Sequence, residues 1–394
     1  MNLVIDIALA GVSVSLGYYV VATILALRFA RRLRTPIPSL PKIAPRVAIL
    51  KPLHGINESL EANLSSYLEI AYPRVEYYFG VSDYEDRATE VPVALRPRYQ
   101  YQNITLVVGE EPGCSNRKIA KVIKMSERAD KAEILAVSDA DVEVSRDHLR
   151  RIVGEFGEDE KIGAVTCAYR ARPCGTFASR LEASFANTDF FPQILVSETI
   201  EPMQYTMGAT MAFKRETLHS IGGFRSVKNM LADDYFLGQF VSQRGWKIKL
   251  SSSIVTLTCE EQTFAEFWNH QLRWARTYRT ARPISLFTIF THGPFWGIVL
   301  MLAALFSPFA IATFAAVITA RVAMSSIISR ILKLPNPLRD SWIVLLKDFV
   351  MTGIWFASLI SNRVLWGGRE FQILRGGAMR ELNGHETRPE RLSA

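Results

Sequence analysis

The chain has 394 residues, a net charge of +8 and 49% hydrophobic residues. The hydrophobic residues are concentrated in long stretches near both ends, which excludes a single soluble domain and indicates a membrane protein with a polar middle region. The positive charge alone permits a nucleic-acid partner. A basic protein with several membrane spans more simply contacts anionic lipid headgroups, so we expect no nucleic-acid partner.

The first predicted element is a membrane helix. Residues 3–30 are apolar apart from Asp6, which is long enough to cross a bilayer and too long for the core of a signal peptide. The basic cluster RRLR follows at residues 31–34. By the positive-inside rule, such a cluster places the next segment in the cytoplasm. The sequence therefore predicts a membrane anchor at residues 1–34 and a cytoplasmic middle region.

The middle region, residues 45–260, alternates predicted strands and helices, which favours an α/β sheet domain. RVAILKPL, VEYYFGVSD and EILAVSDADVEV indicate strands, and ESLEANLSSYLEI and NRKIAKVIKMSERA indicate helices. Ligands of open α/β sheets bind at the carboxyl ends of the strands. Asp83, Asp139 and Asp141 follow predicted strands, so we expect them to meet at such an edge.

The pair Asp139 and Asp141 is a candidate metal site. In an extended chain the two side chains lie on the same side, where they suit a divalent cation that is held partly by substrate phosphates. Such a pair also occurs in ordinary turns, so it needs support from context. Two further pairs of acids supply it, namely Asp83 with Asp86 and Asp233 with Asp234. The last pair also suits the first turn of a helix, a role that is compatible with catalysis.

The stretch HQLRWARTYR, residues 270–279, combines cations with aromatic rings. On a helix, Arg273 and Arg276 are neighbours at i and i+3, and Trp274 and Tyr278 at i and i+4. This face suits an anion, although a solvated basic flank beside a membrane helix is the simpler alternative. We expect Arg273 to pair with a diphosphate and Trp274 to line an acceptor cleft, while Arg276 and Arg279 bind lipid headgroups.

Three further apolar blocks follow, each about long enough to cross a membrane, at residues 287–306, 308–329 and 341–362. Arg321, Lys347 and Asp348 lie within them, and such charges face a protein interior or a water-filled cleft, or for the last two a membrane interface. Three crossings would leave the arginine-rich tail outside, in conflict with the positive-inside rule. Either one block is re-entrant or interfacial, or the tail is an exception. The four cysteines lack zinc-site spacing and are expected to be inert thiols.

These features together suit transfer from a nucleotide-activated donor to a lipid. A diphosphate leaving group needs cations, and an alcohol acceptor needs a base. The chain resembles the ceramide glucosyltransferases, membrane GT-A glycosyltransferases of the family 2 type, and the related bacterial hopanoid glycosyltransferases. The likeness runs from ILKPLHG through HQLRW to WGGREFQILRGG and thus covers most of the chain.

The resemblance implies a role for each matching residue. Asp234 in DDYF would be the general base, and Arg273 and Trp274 in HQLRW would complete the catalytic group. Asp139 and Asp141 would hold Mg²⁺ or Mn²⁺. The implied nucleotide-sugar contacts are Lys51 and Pro52 of the K-P-L-x-G loop, Asp83 and Asp86 of the first acidic motif, Asn116 and Lys118 of an N-x-K motif, and Asp139.

Three positions depart from the family pattern. Arg87 replaces the proline of the first acidic motif, and His270 stands where glutamine or arginine begins the Q-x-x-R-W motif. Lys121 stands where asparagine is usual; it either meets an acidic donor sugar or is a surface lysine of an amphipathic helix.

Gly208, in the loop before MAFK, is expected to allow a close approach of the backbone on the acceptor side.

The implied reaction is inverting transfer of a hexose-type sugar from a UDP-sugar to a lipid hydroxyl, most directly that of ceramide. A hopanoid or diacylglycerol acceptor, a polysaccharide synthase and a non-catalytic membrane scaffold are the alternatives. The resemblance further implies a multi-pass protein of the cell inner membrane whose catalytic domain is cytoplasmic. The predicted organisation is an anchor at 1–34, a GT-A domain at 45–282, membrane helices at 283–366 and a basic tail at 367–394.

Overall fold

A computed structural model describes residues 2–335, 338–374 and 376–382. The strands are β1 (Val47–Pro52), β2 (Val75–Val81), β3 (Asn103–Val108), β4 (Ile134–Val137), β5 (Val142–Glu143), β6 (Ile162–Thr166), β7 (Tyr169–Pro173), β8 (Met211–Lys214), β9 (Lys247–Leu250), β10 (Val255–Cys259), β11 (Arg363–Trp366), β12 (Arg369–Ile373) and β13 (Met379–Glu381).

The helices flank these strands, and one of them begins the described chain. The α-helices are α1 (Asn2–Arg32), α2 (Leu60–Leu68), α3 (Glu90–Leu95), α4 (Arg117–Arg128), α5 (His148–Phe156), α6 (Phe177–Phe185), α7 (Phe191–Ile200), α8 (Arg215–Ser220), α9 (Asp233–Gln243), α10 (Phe264–Ala281), α11 (Gly293–Ala303), α12 (Pro308–Ile331) and α13 (Ser341–Ser358). Segments of 3₁₀ helix cover Arg87–Thr89, Gly223–Val227 and Pro283–Thr291, and a π-helical segment covers Ala186–Phe190.

A seven-stranded sheet with the order β3-β2-β1-β4-β8-β6-β9 forms the centre of the middle region. Its neighbouring strands are parallel except at β8, which is antiparallel to β4 and β6. β1 and β4 are buried along their whole length, which is typical of parallel strands covered on both faces. The predicted α/β class with a mixed, mostly parallel sheet and terminal apolar helices is confirmed.

The direction of β8 determines which loops meet at the carboxyl edge of the sheet. β1, β2 and β4 end at this edge, whereas β8 begins there because it runs the opposite way. The pairing of Val137 with Met211 places the loop before β8 beside the loop after β4. Gly208 therefore lies next to the predicted acidic pair that begins at Asp139.

Three helices are long and apolar enough to cross a membrane: Leu3–Arg32, Pro308–Ile331 and Ser341–Ser358. α1 also exposes a series of large apolar side chains, namely Leu3, Val4, Ile7, Val14, Val20, Val21, Ile24 and Leu27. An exposed apolar surface of this extent is typical of contact with lipid. The chain is thus a membrane protein, as its sequence predicts.

The predicted block at residues 287–306 is bent rather than straight. Pro283–Thr291 and Gly293–Ala303 meet at an angle of 62°. Tyr19 fixes the break, since its hydroxyl donates to the carbonyl of Thr291 at 3.2 Å and accepts from the amide of Gly293 at 3.1 Å. The bend is therefore held by polar contacts with α1 at the backbone groups that the break would otherwise leave unpaired.

The position of the tail bears on the number of crossings. β11, β12 and β13 form an antiparallel sheet, and the amide of Met379 donates to the carbonyl of Asn229 at 2.9 Å. A segment that contacts the middle domain lies on the same side of the membrane. Two crossings by α12 and α13 meet this requirement if the bent pair does not cross, which is the re-entrant or interfacial alternative. Arg375, Arg388 and Arg391, on which the predicted basic tail partly rests, lie outside the described residues.

The charges within the apolar blocks face the protein interior. Arg321 and Lys347 are 2% and 0% exposed, and Asp348 is also buried. All three belong to one network of ion pairs. Neither Lys347 nor Asp348 exposes its charge at the protein surface, because both side chains are buried.

Candidate active site

Asp139 and Asp141 lie in the loop between β4 and β5, which we call the acidic loop. The buried side chain of Lys51 contacts the backbone of this loop. Lys51 Nζ donates to the carbonyls of Asp139 at 2.8 Å and Val142 at 3.4 Å. The same ammonium lies 3.7 Å from the centre of the Tyr67 ring. Burial lowers the pKa of Lys51 to about 7. The sequence predicts that Lys51 contacts the nucleotide sugar. In the structure its buried ammonium contacts the backbone of the acidic loop.

Asn116 and Lys118 connect three elements at the carboxyl edge. Asn116 caps α4 by accepting a hydrogen bond from Ile119 N at 3.0 Å, and its amide donates to Asp233 Oδ1 at 3.1 Å. Lys118 Nζ lies 2.6 Å from Asp139 Oδ1 and 3.5 Å from Asp233 Oδ2. These contacts join the amino ends of α4 and α9 to the acidic loop.

Gly208 fills the narrow space between the loop and α9. A Cβ atom at this position would lie 3.0 Å from Asp139 Oδ2 and 3.1 Å from Lys118 Nζ. The amide of Gly208 donates to Asp234 Oδ2 at 2.8 Å. The predicted close approach of the backbone is confirmed, and it brings Asp234 to the same small space as Asp139 and Lys118.

The environment of Asp234 gives this carboxylate an unusual protonation behaviour. Burial, reinforced by the negative charge of Asp233, raises the pKa of Asp234 to about 6. Lys118 and the hydrogen bonds from the amides of Gly208 and Tyr235 oppose this rise. A carboxylate with a pKa near the working pH is suited to accept a proton from a substrate.

Asp141 is a carboxylate with one buried oxygen free to bind a cation. Its buried Oδ1 has no hydrogen-bond partner among the described residues. Burial, followed by the charge of Asp139, raises the pKa of Asp141 to about 7. Within the described residues, no group of three or more His, Cys, Asp or Glu side chains surrounds a metal position. Two carboxylates fit a Mg²⁺-type ion whose remaining ligands are phosphate oxygens and water.

The nucleotide side of the predicted site contains two different acids. Asp86 Oδ1 accepts hydrogen bonds from the amides of Gly55 at 2.9 Å and Ala88 at 3.0 Å, and His54 lies 3.0 Å from Oδ2. Burial alone would raise the pKa of Asp86, but these hydrogen bonds outweigh it and hold the pKa below its ordinary value. Asp83 is exposed just after β2. Asp86 therefore shapes the loop, while Asp83 is the more accessible of the two carboxylates.

Lys121 has a role that neither sequence alternative describes. Its side chain is only 5% exposed, and Nζ donates to the carbonyl of Leu53 at 2.6 Å. Leu53 follows Pro52, the buried last residue of β1. The surface-lysine alternative is wrong, because the helix carries Lys121 on its buried side, where the ammonium satisfies a backbone carbonyl of the K-P-L-x-G loop.

Arg273 and Trp274 both lie on α10, as the spacing of HQLRW predicts. The guanidinium of Arg273 makes no hydrogen bond or ion pair within the part of the chain that the structure describes. It lies within electrostatic range of Glu182 and Asp234. A largely buried guanidinium near the acidic site and without a protein partner is suited to bind an anionic group.

Trp274 belongs to an aromatic wall. Its ring centre lies 4.9 Å from His270, and 6.3 to 6.4 Å from the rings of Phe185, Phe190 and Tyr278. The contact with Tyr278 confirms the predicted i, i+4 pair. Phe185 ends α6 and Phe190 ends the π-helical segment that follows, so this wall connects α10 with the junction of α6 and α7.

Glu182, which the sequence motifs do not include, contacts His270. His270 Nδ1 lies 2.7 Å from Glu182 Oε1, and Gln262 donates to Glu182 Oε2. Burial would raise the pKa of Glu182, but the hydrogen bond and charge of His270 outweigh it and lower the pKa. One sequence feature could have pointed to Glu182: it is an acid between the apolar residues Leu181 and Ala183, which are also buried in α6. No motif includes this residue.

Arg276 and Arg279 bind the protein rather than standing free at the surface. Arg276 donates to the carbonyl of Arg363, and Arg279 donates to the carbonyl of Ser361 at 3.1 Å. Their contacts with backbone carbonyls account for both arginines without the predicted binding of lipid headgroups. They join α10 to the segment that precedes and begins β11.

Known proteins resemble this chain in sequence. Ceramide glucosyltransferase 1 of Caenorhabditis elegans is 22% identical over 367 residues, which are 91% of this chain and 77% of that protein. Ceramide glucosyltransferase 3 of the same organism is 25% identical over 232 residues, which are 59% of this chain and 50% of that protein. The chain thus spans half the length of the latter relative.

The fold resembles that of a solved glycosyltransferase. The mannosyltransferase of Pyrobaculum calidifontis, solved with GDP-mannose and Mn²⁺, superimposes with a TM-score of 0.53 and 19% identity, covering 90% of this chain and 99% of that one. The predicted GT-A fold is confirmed by this likeness. Fold, acidic edge and terminal helices therefore agree with a membrane glycosyltransferase.

The resemblance inferred from KPLHG, DDYF and HQLRW extends across nearly the whole chain. Residues 7–379 match the family model Glycosyl transferase family 21. This range includes most of α1, the acidic edge, α10 and most of the sheet that α10 contacts. The chain is a glycosyltransferase that belongs to glycosyl transferase family 21.

Proposed function

We propose that this protein transfers a hexose-type sugar from a UDP-sugar to the hydroxyl group of a membrane lipid, with ceramide as the first candidate. The observation that carries the proposal is the position of Asp234. This carboxylate, with a pKa raised to about 6, lies at the amino end of α9 beside Asp139 and Lys118. A base next to a diphosphate-binding edge is what transfer to an alcohol requires.

In the proposed reaction, Asp234 accepts the proton of the lipid hydroxyl, and the oxygen attacks the anomeric carbon of the donor. The bond from that carbon to the diphosphate breaks at the same time, and UDP leaves from the opposite face. A single displacement of this kind inverts the anomeric configuration and needs no carboxylate nucleophile. Arg273 stabilises the negative charge that develops on the diphosphate.

Asp139 and Asp141 would hold the divalent cation, Mg²⁺ or Mn²⁺. Such an ion neutralises the charge of the departing diphosphate when bound. The unpartnered Oδ1 of Asp141 supports this assignment, as does the Mn²⁺ of the mannosyltransferase. Lys51 positions the acidic loop, and Asn116 and Lys118 hold it against α9. The exposed carboxylate of Asp83 would contact the uridine or ribose.

The position of α10 supports a lipid acceptor. α10, which carries Arg273 and Trp274, leads directly into Pro283–Thr291, where Ile284 and Phe287 are exposed. We therefore propose that the acceptor hydroxyl enters along the aromatic wall from the membrane surface. The catalytic domain, 45–282, would face the cytoplasm from the inner membrane, because RRLR precedes it.

A comparison of lipid extracts tests this proposal. A bacterial host that makes the full chain is fed ceramide and diacylglycerol, and its lipids are analysed by mass spectrometry beside those of a host that makes Asp234→Asn. A new monohexosyl ceramide that only the wild-type chain produces supports the proposal. A glycosylated hopanoid or diacylglycerol would show that this lipid, rather than ceramide, is the acceptor. A long glycan would indicate a polysaccharide synthase. No product from a membrane-inserted chain in the presence of each donor would favour the scaffold alternative.

A further inference from the structure

A network of buried charges lies outside the acidic site, where three segments meet. We call Asp189, Arg321, Lys347 and Asp348 the buried ion cluster. Arg321 Nε and Nη2 donate to the two oxygens of Asp348 at 2.8 and 2.9 Å, and Nη2 donates to Asp189 Oδ1 at 2.9 Å. Lys347 donates to Asp189 and to Asp348, the latter at 2.5 Å.

The cluster connects the membrane helices to the π-helical segment. Arg321 belongs to α12, Lys347 and Asp348 to α13, and Asp189 to Ala186–Phe190. Arg321 Nη1 also donates to the carbonyl of Thr188 at 3.0 Å. Two cations and two anions balance within the cluster, and such ions are stable in a protein interior only when they are paired.

The attachment point adjoins the aromatic wall of the active site. Phe190 follows Asp189 directly, and its ring stacks on Tyr169 with 5.1 Å between the ring centres. The same ring lies 6.3 Å from Trp274. A π-helical turn commonly marks a functional site, and here it breaks the helical register between α6 and α7 just where Asp189 and Phe190 face different partners.

We propose that the buried ion cluster is a positioning device for the lipid acceptor. By holding Asp189, α12 and α13 fix the π-helical segment, which holds Phe190 against Trp274 and Tyr169. Asp189, Arg321 and Lys347 are positioning residues that act through Phe190 and contact no substrate. The proposal deepens the proposed function, because it assumes that the wall receives a lipid alcohol.

A cluster that only stabilises the fold would have a different effect when altered. Loss of stability lowers the amount of active protein and leaves both KM values unchanged. Loss of positioning raises the KM of the acceptor and leaves donor binding at the acidic edge unchanged. The ratio of the two KM values therefore separates the alternatives.

The test uses the full chain in lipid nanodiscs and the double variant Asp189→Asn/Lys347→Met. This variant removes one cation and one anion, so Arg321 and Asp348 remain a balanced pair. We expect the acceptor KM to rise by about tenfold or more, as small misplacements of binding groups cost this much, while the donor KM stays within about twofold. The matched control is Arg180→Gln/Asp340→Asn, which removes the 3.0 Å ion pair between α6 and the start of α13 without contacting Asp189; it should leave both KM values at the wild-type level.

A second readout does not depend on turnover. A fluorinated tryptophan placed only at position 274 reports the packing of the wall through its ¹⁹F resonance. We expect this resonance to move in the double variant and to stay in place in the control. In a folded double variant, an unmoved resonance, an unchanged acceptor KM or an equal rise of both KM values would overturn the proposal.

The wild-type chain could fail to glycosylate a lipid, and the double variant could fail to fold. If the wild-type chain glycosylates no lipid, the proposed function fails, and the ¹⁹F resonance alone decides whether the cluster positions the wall. If the double variant does not fold, Lys347→Arg and Phe190→Leu replace it, since the first keeps the charge and the second keeps the cluster. Both should raise the acceptor KM selectively, and wild-type values in both would overturn the proposal.

Discussion

The amide of Gly208 donates a hydrogen bond to Asp234 Oδ2 at 2.8 Å, and this contact places the proposed base at the acidic edge of the sheet. Gly208 belongs to the loop before β8, whereas Asp234 begins α9. The contact is therefore made possible by the antiparallel direction of β8, which brings its first residues beside the end of β4.

Gly208→Ala should impair catalysis while leaving the fold intact. The added methyl group would lie 3.0 Å from Asp139 Oδ2 and 3.1 Å from Lys118 Nζ, so these two groups must shift by a few tenths of an ångström. We expect kcat to fall by about 10²-fold, as for other small misplacements of catalytic groups. Gly17→Ala is the control, because no atom lies within 4 Å of the added methyl group there. Equal kcat values for the two variants would contradict the assignment of this contact.

The pH dependence of kcat should report the protonation of Asp234. A base acts only when it is deprotonated, and burial with the neighbouring charge of Asp233 raises the pKa of Asp234 to about 6. At saturating metal, kcat should therefore fall as the pH drops through about 6 and should be level above it. Asp233→Asn removes the neighbouring charge, lowers the pKa of Asp234 and moves the fall to lower pH. Asp233→Glu keeps the charge and should keep the fall near its wild-type position; identical profiles for both variants would refute this explanation.

Removal of the divalent cation should abolish activity, and Asp141→Ala should have the same effect. Asp141 Oδ1 is buried without a partner among the described residues, so a cation is expected to bind there. We expect a loss of at least about 10²-fold, because such an ion contributes several kcal/mol. Mn²⁺ binding in the presence of UDP, measured by electron paramagnetic resonance, gives a readout apart from turnover. Asp130→Asn on the exposed surface is the control, and a chelator-resistant, active Asp141→Ala variant would disprove the metal role.

Arg273→Lys should weaken donor binding although it keeps the positive charge. Within the described residues the guanidinium has no hydrogen-bond partner, and its planar fork matches a diphosphate better than an ammonium does. We expect the KM of the donor to rise by about tenfold, which corresponds to the loss of one strong charged hydrogen bond. Arg276→Lys is the matched comparison, since Arg276 donates to the carbonyl of Arg363, and it should leave the donor KM near the wild-type value. A reversed order of the two variants would show that Arg276 binds the diphosphate.

The elements around the site follow from local patterns. The periodicity of α2 predicts its buried face, and Leu60, Leu64, Tyr67 and Leu68 are all buried. Acids at the ends of apolar strands predict the edge where Asp139 and Asp141 lie. Motif spacing likewise places Arg273 and Trp274 on one helix. These features depend on residues near each other in the chain, and the sequence displays them directly.

Contacts between distant segments are not visible in the same way. Arg321 pairs with Asp189 across 132 positions, and no periodicity within either helix indicates the partner. The same applies to Arg276, whose acceptor lies 87 residues away. The surface alternative for Lys121 assumes that a long charged side chain reaches solvent, but here Nζ donates to a backbone carbonyl instead of to water. The bend at His292 depends on contacts with Tyr19 in α1, so the sequence of residues 287–306 alone does not predict it.

The most direct measurement follows labelled sugar from UDP-glucose into ceramide, using purified full-length protein in nanodiscs with Mg²⁺ or Mn²⁺. The wild-type chain should form a monohexosyl ceramide of inverted anomeric configuration. Asp234→Asn should form it at least about 10²-fold more slowly while binding the UDP-sugar with unchanged affinity, since the loss of a general base costs this much. Transfer by Asp234→Asn at the wild-type rate, or a product that retains the donor configuration, would contradict the account.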